Sequence, residues 1–487
     1  MSSCFIGFDL GSHASKGVLV TDNGTVLASI SFEHSTDLPN PGWQEQDPDV
    51  WWDEFKRISK SLIKQSGIES QEIKAVGITG FVPGLVLLDK DDHYIRPAIM
   101  HTDIRAGSQL KYINTILNAP ISHGFLLPKL LWIQENEKEN YNNIDKILVP
   151  HSYIVHKLTG KYSCDIDTAT IFGGLYDEES NTWSEIVCSS FNIEKNILPD
   201  LYNADSVVGS INSKASMDTG LCAGTAVIAG TGDTFSALLG CGAVIPGDMM
   251  IYLGTSGTQI FIDGDLSGFI GRRHFGQGKA EFTGRIISCG DSMEHFKNLL
   301  GFTDWLLPDK KALNIEPGSN GLFVFPHLKQ KTEKELSDKN LETIFGLDSG
   351  HTSWHIYRAL LEGIAYNLKS SFTLYDSKVK RLFLSGGGAK SKVFRNIIRD
   401  VLGREVLYNP SGNGASGIAL LAAYGAGIGK RDISLQELSG GLSKTAILSK
   451  PDSKLVFEYK QHYEIYKKLQ IKLDTIYIEQ EPKHGKN

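Results

Sequence analysis

Two segments of this sequence, half a chain apart, carry the same order of features. In the first, the apolar run Phe5–Leu10 meets Gly11-Ser12 and the chain continues through Lys16 into a second run, Gly17–Thr21. In the second, Asp248–Leu253 meets Gly254-Thr255-Ser256-Gly257 and continues into Thr258–Ile262. Each pattern predicts strand, glycine-hydroxyl turn, strand. Gly11 and Gly254 stand 243 positions apart in a chain of 487 residues. A spacing that halves the chain is the mark of duplication, two α/β lobes each contributing one hairpin turn. The matched residues are few and such turns are common in sheets, so on this feature alone coincidence stays open beside duplication.

Length alone suggests about three domains at roughly 100–200 residues each; the repeat replaces that with two lobes, residues 1–243 and 244–487. Hydrophobic residues make up 41% of the chain and charged residues 22%, which excludes a disordered or fibrous protein. Lys and Arg number 49 against 56 Asp and Glu, a formal charge of -7, so no global positive field exists to gather nucleic acid or an anionic membrane. Cys4, Cys164, Cys188, Cys222, Cys241 and Cys289 include no C-x-x-C pair, as expected of reduced thiols. No apolar run approaches the ~18 residues of a membrane span, and Asp9 interrupts the N-terminus too soon for a secretory signal, so the expected location is cytoplasmic. A homodimer is expected only because it is the commonest oligomeric outcome in general.

The opening hairpin extends into a third strand, Val26–Phe32, making a meander. Asp47 can cap a helix with Pro48 at its first position, and Val50, Phe55, Ile58 and Leu62 follow at helical spacing. A strand at Ile73–Thr79 comes next. A meander has no room for helical crossovers, so the sheet is predicted to be mixed. Ser122–Glu135 and the stretch from Ile147 to Tyr176 suit a lid or inserted helices. Further on, Val227–Ala229 runs into Gly230-Thr231-Gly232-Asp233 and a small-residue helix, Thr234–Leu239. A strand at Lys380–Leu384, the run Gly386-Gly387-Gly388, a helix at Val393–Leu402 and a second small-residue helix, Gly414–Gly427, complete the pattern. The small residues allow close helix contact, either as a pivot between lobes or as plain core packing.

Gly-hydroxyl turns suit phosphate, because backbone N–H groups approach freely where no Cβ intervenes and Ser or Thr adds a donor. Gly11-Ser12 and Gly254-Thr255 both qualify. Lys16 can place positive charge near a phosphate, and Asp9 can hold a hydrated Mg²⁺. His351 and His355 lack the intervening Glu of a zinc protease motif, so a helix-surface role fits them better.

Taken together, these segments resemble the FGGY carbohydrate kinases of the actin-like ATPase superfamily. The likeness runs from about Phe5 to Gly427. Phe8-Asp9-Leu10-Gly11-Ser12 through Lys16 is similar to the family's first phosphate motif, Ala229-Gly230-Thr231-Gly232-Asp233 to the segment holding the catalytic base, and Leu253-Gly254-Thr255-Ser256-Gly257 to the second phosphate motif. Ser385-Gly386-Gly387-Gly388-Ala389-Lys390-Ser391 is similar to the adenosine motif. The resemblance implies two ribonuclease H-like (actin-like ATPase) α/β lobes with a central cleft, and phosphoryl transfer from MgATP to a sugar hydroxyl. It implies Asp233 as general base, kept ionised by its helix N-terminus and also near the metal; Asp9 acting on Mg²⁺ through water; Ser12 and Thr255 on the β- and γ-phosphates; and Gly387, Gly388 and Ser391 on the adenosine.

Within the family, Leu85–Asp89, Arg96–Ile99 and Asp103-Ile104-Arg105 are most similar to the xylulose kinase branch. One departure stands out. Where xylulose kinases show Gln-Met-His-Gly, this chain has Phe81-Val82-Pro83-Gly84. Losing those polar groups disfavours glycerol and leaves D-xylulose open beside another pentulose, a hexulose, a polyol or an aldonate such as gluconate. Asp103 and Arg105 are expected either to supply polar contacts to the sugar or to form a structural ion pair. A sugar-sensing pseudokinase is the alternative function.

Overall fold

The computed structural model describes residues 3–117, 121–264, 274–275, 278–283, 287–326, 342–427, 439 and 446–480. These form two compact units, each built on a mixed sheet.

In the first unit the meander forms as the pattern predicts. Strand Cys4–Leu10 pairs antiparallel with Ala14–Thr21, which pairs antiparallel with Val26–Glu33. On its other side Cys4–Leu10 runs parallel to Ile73–Gly80, which runs parallel to Ala226–Ile228, and Val207–Ser210 closes the edge antiparallel. Successive residues of Cys4–Leu10 face opposite sides of the sheet. One side carries Ile6, Phe8 and Leu10 against the helix Pro48–Ser66, where Phe8 and Phe55 meet edge to face at 5.0 Å. That helix is capped as expected, the Asp47 side chain accepting from the Asp49 amide at 2.9 Å. The other side carries Gly7 and Asp9. A second apolar cluster gathers the inserted helix Leu126–Asn136, whose Leu126, Leu127, Leu130 and Leu131 pack with Phe172 and Trp183.

The second unit repeats the order. Asp248–Leu253 pairs antiparallel with Ser256–Asp263 and parallel with Arg381–Ser385; Val406–Tyr408 continues in parallel, and Ile447–Ser449 closes the edge antiparallel. Hairpin, two parallel strands and an antiparallel edge thus occur twice, with only the chain position of the edge strand exchanged. Its core packs the helices Ser353–Phe372 and Lys392–Leu402 on the sheet. Buried Glu362 accepts from the Gly318 amide, Arg358 Nε and Tyr459 Oη, each at 3.0 Å, and so ties the loop at Gly318 and the terminal helix Ser453–Gln480 to one carboxylate.

The compact units do not follow a single cut after residue 243. The helix Gly414–Gly425 packs in the first unit, on the Gly7 face of its sheet and against the helix Asp233–Cys241. Glycines make this possible. A Cβ on Gly7 would overlap the Ala415 carbonyl and one on Gly77 the Ile418 carbonyl, while Gly240 and Gly417 play the same part toward Asn413 and Ser236. Both small-residue helices therefore lie in one unit, and their close contact is core packing internal to it.

Ala at Gly417 is expected to lower folding stability by about 2 kcal/mol or more, since backbone cannot yield as a side chain can. Ala at Gly387, with no atom within 4 Å of the added carbon, should change it by less than about 0.5 kcal/mol. Denaturant unfolding midpoints of the two variants check both.

Candidate active site

Three parallel segments of the first sheet end at one level. Leu10 and Gly232 both pair with Gly80 of the strand between them. The Gly11-Ser12 turn, the Phe81–Pro83 segment and Asp233 therefore emerge side by side at the carboxyl ends of parallel strands, the position where open α/β sheets bind ligands.

Asp9 lies one residue before that level. It faces Lys16 across the hairpin and meets Gly414, where an added Cβ would stand 2.5 Å from Asp9 Oδ2. Burial and the charge of Asp233 push the Asp9 carboxyl up to about 7, against the opposing pull of Lys16. Asp233 opens the helix Asp233–Cys241, and its Oδ1 accepts from Thr234 Oγ1 at 3.0 Å. The helix start and Thr234 favour its ionised form, yet burial outweighs them and the pKa is raised. Among the described residues no cluster of three or more His, Cys, Asp or Glu side chains forms a protein cage for a metal. Two recessed carboxylates that repel one another do fit Mg²⁺, which keeps most of its waters and needs only one or two protein oxygens beside phosphate.

Other predicted residues are placed differently. Phe81 belongs to the core, packed edge to face on Trp51 at 5.7 Å and against His101 at 5.6 Å. Pro83 is buried, and of the three only Val82 is part-exposed; its Cγ2 would lie 2.7 Å from a Cβ on Gly232, the residue before Asp233. Asp103 is buried and fully engaged: Oδ2 accepts from the Gln44 amide at 2.6 Å and Arg105 Nη2 at 2.7 Å, and Oδ1 from Arg105 Nε at 2.9 Å. The Arg105 guanidinium rests 4.0 Å from the Trp43 ring and ion-pairs with Glu45 at 2.7 Å. The structural ion pair is thus the arrangement found.

Sequence reasoning missed His101, which sits between Ile99 and Asp103, both of which it had singled out. Burial, with help from Lys129 and His13, pushes its pKa down to about 4, so it is neutral at pH 7, and its Nδ1 is buried without a partner. Lys129 is fully buried; its Nζ donates to the His123, Gly124 and Phe125 carbonyls at 2.6, 3.2 and 3.0 Å, and burial lowers its pKa to about 7.

In the second unit Gly254-Thr255 and Gly386-Gly387-Gly388 likewise leave the carboxyl ends of two parallel strands. Gly386, at φ 89°, lies over the Leu253 backbone, and Gly388 over its side chain; Gly387 has open space around it. Ser391 caps the helix Lys392–Leu402, its Oγ accepting from the Phe394 amide at 3.2 Å, and also binds the Asp309 carboxyl.

Two α/β units, each with a mixed sheet and a glycine-hydroxyl turn, and a recessed carboxylate pair in the first match what the sequence resemblance implies, and comparison with known proteins specifies the class as phosphotransferase. The model of the FGGY carbohydrate kinase N-terminal domain matches residues 4–240 and that of the C-terminal domain residues 249–426. The chain belongs to the FGGY family of carbohydrate kinases. It is 29% identical over 486 residues to a xylulose kinase of Bacillus subtilis, covering 95% of this chain and 96% of that one. A xylulose kinase of Lactococcus lactis is 28% identical over the same length and coverage. The crystal structure of xylulose kinase from Rhodospirillum rubrum superposes with a TM-score of 0.79 at 26% identity, over 97% of this chain and 99% of that one. A gluconate kinase from Lactobacillus acidophilus gives 0.81 at 21% identity, over 97% and 99%, and shares the fold. No helix among the described residues is long and apolar enough to cross a membrane.

The raised pKa of Asp9 has a consequence for stability. Above about pH 4 the unfolded chain has released this proton while the folded chain retains it, so the folded state binds more protons and loses stability as pH rises toward 7. D9N should therefore raise the thermal midpoint of the nucleotide-free protein at pH 8 and leave it little changed at about pH 4, while lowering kinase turnover about a hundredfold or more. Thermal scans at the two pH values, beside an ADP-release assay, check both parts.

Proposed function

We propose that this kinase transfers the γ-phosphoryl group of MgATP to a hydroxyl of a ketose, polyol or aldonate, with Asp233 taking the hydroxyl proton. The observation that carries this reading is the pairing of Asp233 with Asp9 at one end of the first sheet, both carboxyls raised by burial. A base whose pKa is lifted toward the working pH holds a proton better as it arrives from the substrate, and remains able to release it afterwards. Asp9 is the residue that would hold the hydrated Mg²⁺, whose charge would neutralise the phosphates and hold Asp9 ionised. The turn at Gly11-Ser12 would receive phosphate on backbone amides with Lys16 behind it. In the second unit Gly254 and Thr255 would do the same, while Gly387 and Gly388 would lie against adenosine. Ser391, engaged as a cap, would shape that region without contacting the base.

The relatives favour a xylulose-type substrate. Against D-xylulose itself stands Val82, which offers no hydrogen bond beside Gly232, so a sugar hydroxyl at that point would go unmatched. His101, neutral and with a free ring nitrogen, is the nearby polar group suited to read a hydroxyl in its place.

A coupled ADP-release assay over pentuloses, hexuloses, polyols and aldonates tests the reading. At least one acceptor should raise ATP turnover well above background, and D233A should lower that rate by about 10²–10⁴-fold. If no acceptor raises turnover above the D233A level, the proposed function is wrong. Strong turnover of D-xylulose alone would remove the objection drawn from Val82.

A further inference from the structure

The turn after Asp9 is fastened from behind by side chains distant in sequence. The Gly11 carbonyl accepts from His34 Nε2 at 3.0 Å. The next carbonyl, of Ser12, accepts from Gln46 Nε2 at 2.7 Å and more weakly from Thr36 Oγ1 at 3.4 Å. Both fasteners are themselves held. His34 Nδ1 meets Glu54 Oε2 at 2.9 Å, and the two side chains are 4% and 5% exposed. Gln46 is buried, and its Oε1 accepts from the indole N–H of buried Trp51 at 2.9 Å.

In a trans peptide the N–H points opposite to the C=O. Drawing the Gly11 carbonyl inward turns the Ser12 amide outward, and drawing the Ser12 carbonyl inward does the same for the His13 amide. Among the described residues neither amide has an intramolecular acceptor, whereas the Gly11 amide closes the turn on the Ala14 carbonyl at 3.0 Å. Two adjacent outward amides next to a serine hydroxyl make an anion seat.

The second unit reaches the same end by other means. There the Gly254 carbonyl accepts from the Gly290 amide at 2.9 Å, and the Thr255 carbonyl from the Cys289 and Asp291 amides at 3.3 and 3.2 Å. Main chain does in that turn what His34 and Gln46 do in the first.

We infer that His34 and Gln46, with Glu54 behind His34, are positioning residues for phosphate binding: they fix the Gly11–His13 peptides so that their amides face the nucleotide. The inference rests on the kinase reading above. The hydrogen-bond chemistry makes it specific. The Gly11 carbonyl can only accept, so His34 Nε2 must carry hydrogen. With hydrogen on Nε2, His34 Nδ1 either donates to the Glu54 carboxylate, when the ring is doubly protonated, or accepts from Glu54, when the ring is neutral and the acid carries the proton. A tautomer with hydrogen only on Nδ1 would set two lone pairs against each other at Gly11.

The test measures the Kd of MgATP by calorimetry, and steady-state KM values with the best acceptor, for wild type and for H34F, Q46E, E54L and E54Q. H34F, Q46E and E54L should weaken MgATP about tenfold or more while the sugar KM stays within about twofold. E54Q, whose amide can donate to Nδ1, should remain near wild type. Circular dichroism and thermal midpoints establish which variants fold; Q46E keeps the indole contact, sets an oxygen against the Ser12 carbonyl and leaves Thr36 Oγ1, 2.8 Å from Gln46 Nε2 in the wild type, able to donate to that oxygen, so it carries the test if H34F does not fold. Unchanged MgATP affinity in folded H34F or Q46E, or equal losses for nucleotide and sugar, overturns the positioning role while leaving the kinase reading intact. Absence of MgATP binding by the wild type would overturn the kinase reading itself, and the inference with it.

Discussion

The first unit depends on a contact of backbone with backbone. Gly7 and Gly77, neighbours on adjacent parallel strands, form a floor without side chains, and the helix Gly414–Gly425 lies directly on it. Gly240 and Gly417 bring the helix Asp233–Cys241 equally close. Close-packed interiors transmit small displacements, so a methyl group at any of these four points would move an entire helix. The contact also places the start of one helix against Asp9 and holds the helix that begins with Asp233. The geometry of the carboxylate pair is thus set by four missing side chains on the core side of the site.

That rigidity answers an electrostatic problem. The chain carries a formal charge of -7 and brings two carboxylates together where a polyphosphate is proposed to bind. Burial pushes each carboxyl toward its neutral form, and a cation beside the pair would favour the ionised form. Close to Asp9 the chain supplies Lys16, and at the turns it uses oriented amides. Amides bring partial positive charge without the desolvation penalty of a buried ammonium. Lys129 shows that penalty: buried, it loses much of its basicity even with three carbonyls around its Nζ.

The parts legible in the sequence were those encoded locally. Alternation, turn glycines and the Asp47-Pro48 cap located the meander, the first helix and both hairpins, because each is decided within about ten residues. Membership of Gly414–Gly425 in the first unit was not legible. It depends on matching glycines in strands some 340 to 410 positions earlier, a complementarity with no periodicity. Asp103 was ambiguous because an acid two residues before an arginine can face outward or close on it, and only the flanking Trp43 and Glu45 decide between the two. The fasteners of the phosphate turn were missed altogether. One clue was present: Glu54 lies in the helix stripe formed by Trp51, Phe55 and Ile58, and an acid in a buried stripe requires a partner.

The choice of sugar belongs to a different level of the structure from the chemistry. Kinases of different sugars share this architecture, so neither the sheets nor the phosphate turns distinguish them. Discrimination has to arise where a side chain meets a hydroxyl. Val82 touches Gly232, one residue from Asp233, and its methyl groups return nothing to a hydroxyl that must give up water to reach them. A site discriminates strongly only through polar groups left unmatched by the wrong ligand. In the first unit the Phe81–Pro83 segment has lost such groups, and Asp103 has given both its oxygens to Arg105 and Gln44. On the function proposed above, selectivity would shift toward His101, which packs against Phe81 and is kept neutral chiefly by its burial, with Lys129 adding to it. Phe81, placed in the core in the role of support, would then govern the sugar indirectly, through the ring it carries.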